Sequence, residues 1–577
     1  MNAPNRPSIR RFLLPALLLV VVMMAVFGQV AGHGFLAWDD EEHVLKNPRL
    51  NPVTWYGVWE FWAEPTEPFF GLYVPLSYTF FAAEAFLAGR PPSPAVFHFG
   101  SLLLHIACVL LVFVILRRLF RHEGAACVGA LLFGLHPLQV ESVAWISETR
   151  GLLCGALSLA AVWQYLCFTD ATASRKSAAI HYAVATTAFV LALLAKPAAV
   201  AVPLILGALE AGLLGRRWRQ VAAALVPWLV VAVGWTVLTK LGQPDQWLSF
   251  VPPLWARPLL AGDALAFYVQ KLVAPLQCAP DYGRTPVRVI GQWPFYVAWL
   301  LPAVLLAALA CVRYRRVWLT ALAVFVAWLL PVLGLVPFVY QRISTVADRY
   351  AYLAMLGPAL ALSWYLSLRW NRWTVGISTA VLGVLGLMTI VQTGLWQDDV
   401  TLFEYALEVN EESVVANHNL GLARARQGRF FEAIDYYHRV LDVDDEHAES
   451  HLSLGLAFFR LRNFEMSEKH LRRALELRPE WGLVHFYLGS ALRFGRNNLE
   501  GALQHFDAAI ELQPTYFEAR INRIEVLVAM QRYDEASDAC RELLDMRLVS
   551  YDSEEARGIR NTLRSCREKA TAGKPAR

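Results

Sequence analysis

Up to about residue 395 the chain alternates long apolar runs with short polar breaks, and then its character changes. A membrane-spanning helix needs about 20 apolar residues. Runs of that kind cover 11–31, 97–116, 125–145, 151–168, 180–195, 197–214, 220–239, 293–312, 317–339, 350–367 and 374–395, which predicts about eleven spans. Two further apolar stretches are interrupted by charge. Residues 69–88 carry Pro75 and Glu84, and 258–275 carry Asp263 and Lys271 and end at Pro275. Arg10 and Arg11 precede the first run, which continues towards Ala31 without a small-residue cleavage pattern. It reads as an uncleaved first span.

Basic residues mark cytoplasmic helix ends. With Arg10 and Arg11 inside, Arg117, Arg118 and Arg121 fall inside, as do Arg175 and Lys176, and Arg216, Arg217 and Arg219. The cluster Arg313, Arg315 and Arg316 and the pair Arg369 and Arg372 join them only if 258–275 does not cross. That segment, and 69–88 with it, is therefore expected to be interfacial or re-entrant. The N-terminus then lies in the cytoplasm. The 32–96 loop and everything beyond 395 lie outside it, and a bacterial inner membrane is expected.

After residue 396 short amphipathic helices come in pairs. Leu420-Gly421, Leu454-Gly455 and Leu488-Gly489 recur every 34 residues, and Pro479 and Pro514 punctuate repeat ends. This is the tetratricopeptide period and pattern. The glycines, with Ala433 and Ala502, would allow close helix crossing. Three to four repeats fit between 412 and 548, and Trp396–Val409 reads as half a unit joining them to the last span. Such arrays present a concave surface that captures a protein or peptide, or a partner subunit; the plainer reading is a spacer. The expected organisation is all-α: a polytopic helix bundle over 1–395, repeats over 396–565 and a disordered end over 566–577.

Composition agrees with two parts of different character. The chain is 56% hydrophobic and only 17% charged, where a soluble protein is about a quarter charged. The net charge of +4 rests on basic residues at membrane boundaries, and no basic tract interleaved with aromatics points to nucleic acid. The eight cysteines form no Cys-x-x-Cys pair and read as small hydrophobes.

Candidate chemistry sits at the outer ends of the spans. Trp38-Asp39-Asp40-Glu41-Glu42 follows the first run directly. It is either a solvated acidic loop or an acid/base site, with His43 beside it. His136-Pro137 leads to Glu141, Ser142, Trp145 and Arg150; if the stretch stays helical, Glu141 and Trp145 share a face. Lys196-Pro197 separates two runs, where the lysine would either snorkel to the interface or hold a phosphate. Asp281-Tyr282 and Asp348-Arg349-Tyr350 complete the set. Arg349 is the best single phosphate clamp, because a guanidinium grips phosphate oxygens in a fork. Nothing has the ligand spacing of a tight metal site. A carboxylate-bound divalent ion is conceivable at the acidic quartet but not expected.

The order Trp38-Asp39-Asp40, Asn47-Pro48, Pro75-Leu-Ser77, Phe97-His98, His105, His136-Pro137 to Arg150, Lys196, Asp281-Tyr282, Asp348-Arg349-Tyr350 and then repeats resembles the transmembrane and tetratricopeptide-repeat O-mannosyltransferases and their bacterial relatives. These are similar to the GT-C superfamily. The resemblance implies inverting transfer of a sugar, mannose in the name, from a polyprenyl-phosphate donor to a protein hydroxyl or envelope glycan, with no cofactor. On that reading Asp39 is the base, with Asp40 second. Trp38 and His136 shape the pocket, with Glu141 a secondary candidate. Arg150, Lys196 or Arg349 meets the phosphate. The family often has Lys-Glu where this chain has Lys196-Pro197, so a carboxylate is expected to be missing there, and the array is short. The rival reading is a non-catalytic membrane scaffold whose repeats assemble an envelope or secretion complex. A transporter would want broken helices at the midplane, whereas these polar residues gather at one face.

Overall fold

The computed structural model describes residues 9–65, 69–170, 174–242, 250–546, 548 and 553–572. Among them there is no β-strand; one isolated bridge joins Leu50 and Val53. The chain forms two compact units, Met1–Glu411 and Glu412–Arg577.

In the first unit nine of the described helices are long and apolar enough to cross a membrane: Leu13–Gly32, Pro94–Phe120, Ile146–Phe168, Arg175–Ala195, Pro197–Leu214, Trp218–Leu241, Trp293–Cys311, Arg315–Val332 and Arg372–Gly394. This is an integral membrane protein. Two of the expected runs take another form. The run 125–145 is broken into Glu123–Leu135 and Pro137–Ala144, bent by 57°. Proline lacks the N–H that would continue the first helix, and its ring clashes with the preceding turn. The run 350–367 gives only the 13-residue helix Leu356–Leu368, short of a span. The charge-interrupted stretches form Pro75–Ala88 and Ala256–Val273, and neither is among the membrane-length apolar helices.

Small residues let these helices touch. A Cβ on Gly357 would run into the Ala321 carbonyl oxygen, and one on Gly129 would stand 2.8 Å from that of Ala359. In lipid, where burial of apolar surface gives no drive to association, such close backbone approach is what packs helices.

The first unit runs past residue 395. The helix Asp399–Val409, expected to open the repeats, belongs to it and brings Phe403 to Trp38 at 6.2 Å between ring centres.

The second unit is four helix pairs, from Val414–Arg426 with Phe430–Val443 to Phe517–Ala529 with Tyr533–Asp545, and a closing helix Glu554–Ala572. Residues 566–572, expected to be disordered, are the end of that helix, whose Ile559 and Cys566 are buried; 573–577 lie outside the described residues. The repeat glycines sit where expected. A Cβ on Gly421 would run into the Tyr437 ring, one on Gly455 into Leu471 and one on Gly489 into Phe506.

Two repeats share an unusual joint. His451 and His470 face each other Nδ1 to Nδ1 at 3.1 Å, and His485 and His505 do so at 3.0 Å. The Nε2 of His451 lies 3.1 Å from the Asp445 carbonyl, and that of His485 lies 3.2 Å from the Pro479 carbonyl. A carbonyl only accepts, so those nitrogens carry the proton. Each first Nδ1 is then an acceptor, and its partner must donate. In the next repeat Arg520 takes the same place, donating to the Pro514 carbonyl at 2.8 Å and pairing with Glu542 at 2.8 Å.

A histidine pair of this kind has room for one proton between its rings. Burial first, and then the facing histidine, pushes His470 and His505 down to about 4. Their folded values lie below the free value, so the unfolded chain binds more protons between the two. The stability they contribute is present above the free value and is lost as pH falls towards 4. Taking the protein from about pH 7.5 to about pH 5 should lower the melting temperature of the repeat unit by roughly 5 °C. Circular-dichroism melts read this, and His470→Gln with His505→Gln should flatten the dependence.

Candidate active site

The polar residues gather where the loop after the first span meets the broken helix. The loop carries Asp39 and Asp40 on a turn that leads into the short helical segment Glu41–Leu45. The two aspartates point into different surroundings. Asp40 is fully buried. Its Oδ2 accepts from the Leu36 amide at 3.0 Å, and its Oδ1 accepts from the Ser147 amide at 2.9 Å and hydroxyl at 2.6 Å. Burial pushes it up to about 7 against the pull of those three donors. It is a clasp that fastens the loop to the turn Ile146–Glu148.

Asp39 is half-buried; its backbone carbonyl accepts from the His43 amide at 2.9 Å, while its carboxylate accepts no hydrogen bond from the described residues. Burial raises its carboxyl above the usual range, the cations of Arg150 and Arg349 oppose that rise, and Glu148 and Glu42 add to it. The acidic quartet does not converge. Glu41 and Glu42 both turn to Lys46, at 2.7 and 3.2 Å. No group of three or more His, Cys, Asp or Glu among the described residues is placed to hold a metal ion.

Behind Asp39 lies a charged network. Arg349 donates through its backbone N–H to Glu141 at 2.8 Å, and its guanidinium also bonds that carboxylate. The same guanidinium is 3.6 Å from Glu148, and Lys196 bonds Glu148 at 2.7 and 3.0 Å. The rings of Tyr340, Tyr350 and Trp145 surround the guanidinium carbon at 4.1, 5.0 and 5.3 Å. Arg150 stands at the rim, donating to the Ser147 carbonyl at 2.8 Å and to His43 Nε2 at 3.4 Å. His43 therefore accepts from Arg150 and donates from Nδ1 to the Tyr78 hydroxyl at 2.8 Å. Burial, and then Arg150, hold His43 well below its usual value, so it is neutral.

A cavity of about 60 Å³ opens beside Lys196 and Arg349. Ser142 and Trp328 also line it, and the Ser142 hydroxyl and the Trp328 indole N–H are buried without a hydrogen-bond partner among the described residues. Unspent donors next to two cations make a place for an anion.

Several expectations change form here. Lys196 does not snorkel; it is paired with Glu148. The carboxylate expected to be missing after Lys196 is supplied from another helix. Arg349 is not an open clamp, because Glu141 and Glu148 already engage it. His136 lies outside the network. It caps the break in the helix, its Nδ1 accepting from the Leu138 amide at 3.3 Å while Nε2 lies 3.2 Å from the Leu272 carbonyl. Trp38 leans on Trp145 at 5.2 Å between ring centres, beside the network. Tyr282 donates to Asp348 at 2.7 Å, and Asp281 accepts from the Gly283 amide at 2.8 Å and from Asn410 at 3.2 Å. Tyr282 thus braces Asp348, the residue before Arg349, while Asp281 holds its own turn and Asn410. Burial, and then Glu141, push Asp348 up to about 7.

Glu148, Ser147, Trp328 and Tyr340 were not singled out from the sequence. Glu148 had a signal, since Glu141, Trp145 and Glu148 follow the i, i+4, i+7 spacing of one helix face. Trp328 and Tyr340 had none, because only folding brings them to Arg349.

Fold and site define an integral membrane protein with a buried ion-pair network and a C-terminal repeat array. Tetratricopeptide-repeat family models match residues 412–480, 452–517 and 493–547. The chain is similar to proteins named as protein O-mannosyl-transferases. It is 23% identical over 475 residues to Protein O-mannosyl-transferase TMTC4 of Mus musculus, covering 70% of this chain and 63% of that protein. It is 32% identical over 142 residues to Protein O-mannosyl-transferase TMTC1 of Homo sapiens, covering 23% of this chain and 16% of that one. The chain thus spans less than two thirds of the length of these curated relatives. Among solved structures, the crystal structure of MamA matches with 19% identity and a TM-score of 0.25, over 25% of this chain and 85% of that chain.

The division between the aspartates has a measurable consequence. Asp40→Ala strands two buried amides and should cost about 3 kcal/mol of stability, with Ser147→Ala costing about 1 kcal/mol. Asp39→Asn should stay within about 0.5 kcal/mol of the parent. Thermal melts of the detergent-purified protein rank the three.

Proposed function

We propose that the membrane unit is a glycosyltransferase that moves a sugar from a polyprenyl-phosphate donor to a hydroxyl acceptor, mannose being the sugar named in its relatives. The observation that carries this reading is the pairing of one carboxylate left without a hydrogen bond from the described residues, Asp39, with a small cavity that holds unspent donors next to Lys196 and Arg349. The donor phosphate takes the cavity. There the Ser142 hydroxyl, the Trp328 N–H and the Lys196 ammonium meet its oxygens, while Glu141 and Glu148 keep Arg349 and Lys196 in position.

Asp39 accepts the proton of the acceptor hydroxyl as its oxygen attacks the anomeric carbon. The bond to the phosphate oxygen breaks with its electron pair going to the phosphate, so a single displacement inverts the anomeric centre. The transition state is oxocarbenium-like, and an ionised carboxylate close by stabilises it as well as taking the proton. The leaving phosphate gains charge where the cations and donors already stand. The acidic loop faces away from the cytoplasm, in a bacterial inner membrane on this reading, and the repeats present a protein or peptide acceptor.

The test is sugar transfer from synthetic polyprenyl-phosphate mannose by the purified protein. Asp39→Asn should lower kcat by about 100-fold or more while the protein stays folded. An unaffected rate would remove Asp39 as the base, and wild-type protein that transfers no sugar from any such donor would favour a scaffold. Ser142→Ala, which leaves the ion pairs intact, should lower kcat/KM for the donor about tenfold.

The pH profile gives a further check. A base works only when ionised, and the Asp39 carboxyl is raised above its ordinary value. Activity should therefore rise with pH, with the midpoint of the acid limb above the usual carboxylate value of about 4. An acid limb at or below that value would contradict the assignment.

A further inference from the structure

The helix Trp55–Ala63 is amphipathic in an inverted sense. Its inner face holds Gly57 and Phe61, and its outer face is aromatic rather than charged. Trp55 is 92% exposed, Tyr56 72% and Trp59 64%. At about 100° per residue these three positions share one arc of the helix. The two acidic residues near its end are drawn away, with Glu60 and Glu64 both pairing with Arg49, at 3.4 and 2.7 Å.

Three observations say what covers that face. First, the helix is tied to the end of a span. The Ser77 hydroxyl donates at 2.8 Å to the carbonyl of Ala195, the last residue of Arg175–Ala195. Two residues on, Thr79 accepts from the Trp62 indole N–H at 3.0 Å. Second, the residue types are those of a headgroup belt, where Trp and Tyr collect because one part of the ring is apolar and another is polar. Third, three of the other exposed tryptophans of this unit stand at the starts of membrane-length helices: Trp218 and Trp293 open theirs, and Trp373 is the second residue of another.

We propose that Trp55, Tyr56 and Trp59 sit in the lipid headgroup interface and anchor the Asp39 loop to the membrane surface. The connection to the loop is direct. Gly57 lies so close to Arg49 that a Cβ there would be 2.5 Å from the Arg49 carbonyl oxygen. Phe61 stacks on Tyr78 at 4.4 Å, and the Tyr78 hydroxyl holds His43. The partner is the bilayer interface itself, and the proposal stands whether or not the site transfers sugar.

The experiment uses the full-length protein in nanodiscs, one copy per disc. Wild-type emission minus that of Trp55→Phe/Trp59→Phe isolates these two tryptophans. The expected result is a difference signal quenched most by lipid brominated near its glycerol end, less by lipid brominated near the acyl terminus and least by aqueous iodide. A signal quenched chiefly by iodide overturns the proposal. A signal shielded from every quencher means that protein covers the face, and also overturns it. Tyr56→Trp supplies a second reading, because its added emission must show the same order of quenching. Neither measurement depends on activity, so failure here leaves the proposed reaction standing, and failure of that reaction leaves this anchor standing.

Discussion

Glu148 is the side chain on which the arrangement of the membrane unit turns. It is buried, and it meets Lys196 at 2.7 Å and Arg349 at 3.6 Å, two cations from distant parts of the chain. An unpaired charge in such surroundings costs several kcal/mol, so each of these groups requires the others. Glu141 shares Arg349. The network therefore fastens three segments at one point: the turn after the broken helix, the junction at Lys196-Pro197 and the turn before Leu356–Leu368. That point is also where the cavity opens.

The loop after the first span is held by a different interaction. Asp40 spends its carboxylate on Leu36 and Ser147, and the neighbouring carboxylate of Asp39 is left without a hydrogen bond from the described residues. Ser147 and Glu148 are adjacent, so the turn that clasps the loop is also the turn that positions the cations. The proposed transfer needs an acid/base group and a phosphate site in a fixed relation, and on that reading adjacent residues of one short turn set it. The aromatic helix Trp55–Ala63 fixes the other end of the same loop.

The repeat unit follows separate rules. Its helices pack through glycine at one position and a large ring or leucine opposite, repeated at a 34-residue period. Its stability is local, each pair resting on its neighbours. The histidine joints of two repeats and the arginine-glutamate joint of the next hold the same place with different chemistry.

The spans and the repeats were legible in the sequence because both are periodic and local. Apolar length reports a membrane helix, and phase-locked glycines report the solenoid. The acidic loop, Glu141, Lys196 and Arg349 were legible as types of residue in costly places. Their partners were not. Nothing in the order of residues separates Asp39 from Asp40, since the difference is which carboxylate meets the Ser147 amide. Nothing local links Lys196 to Glu148, 48 residues away, or brings Trp328 beside Ser142. Periodicity is written along the chain, whereas pairing of buried charges is decided by which helices pack together, and that only the tertiary structure determined.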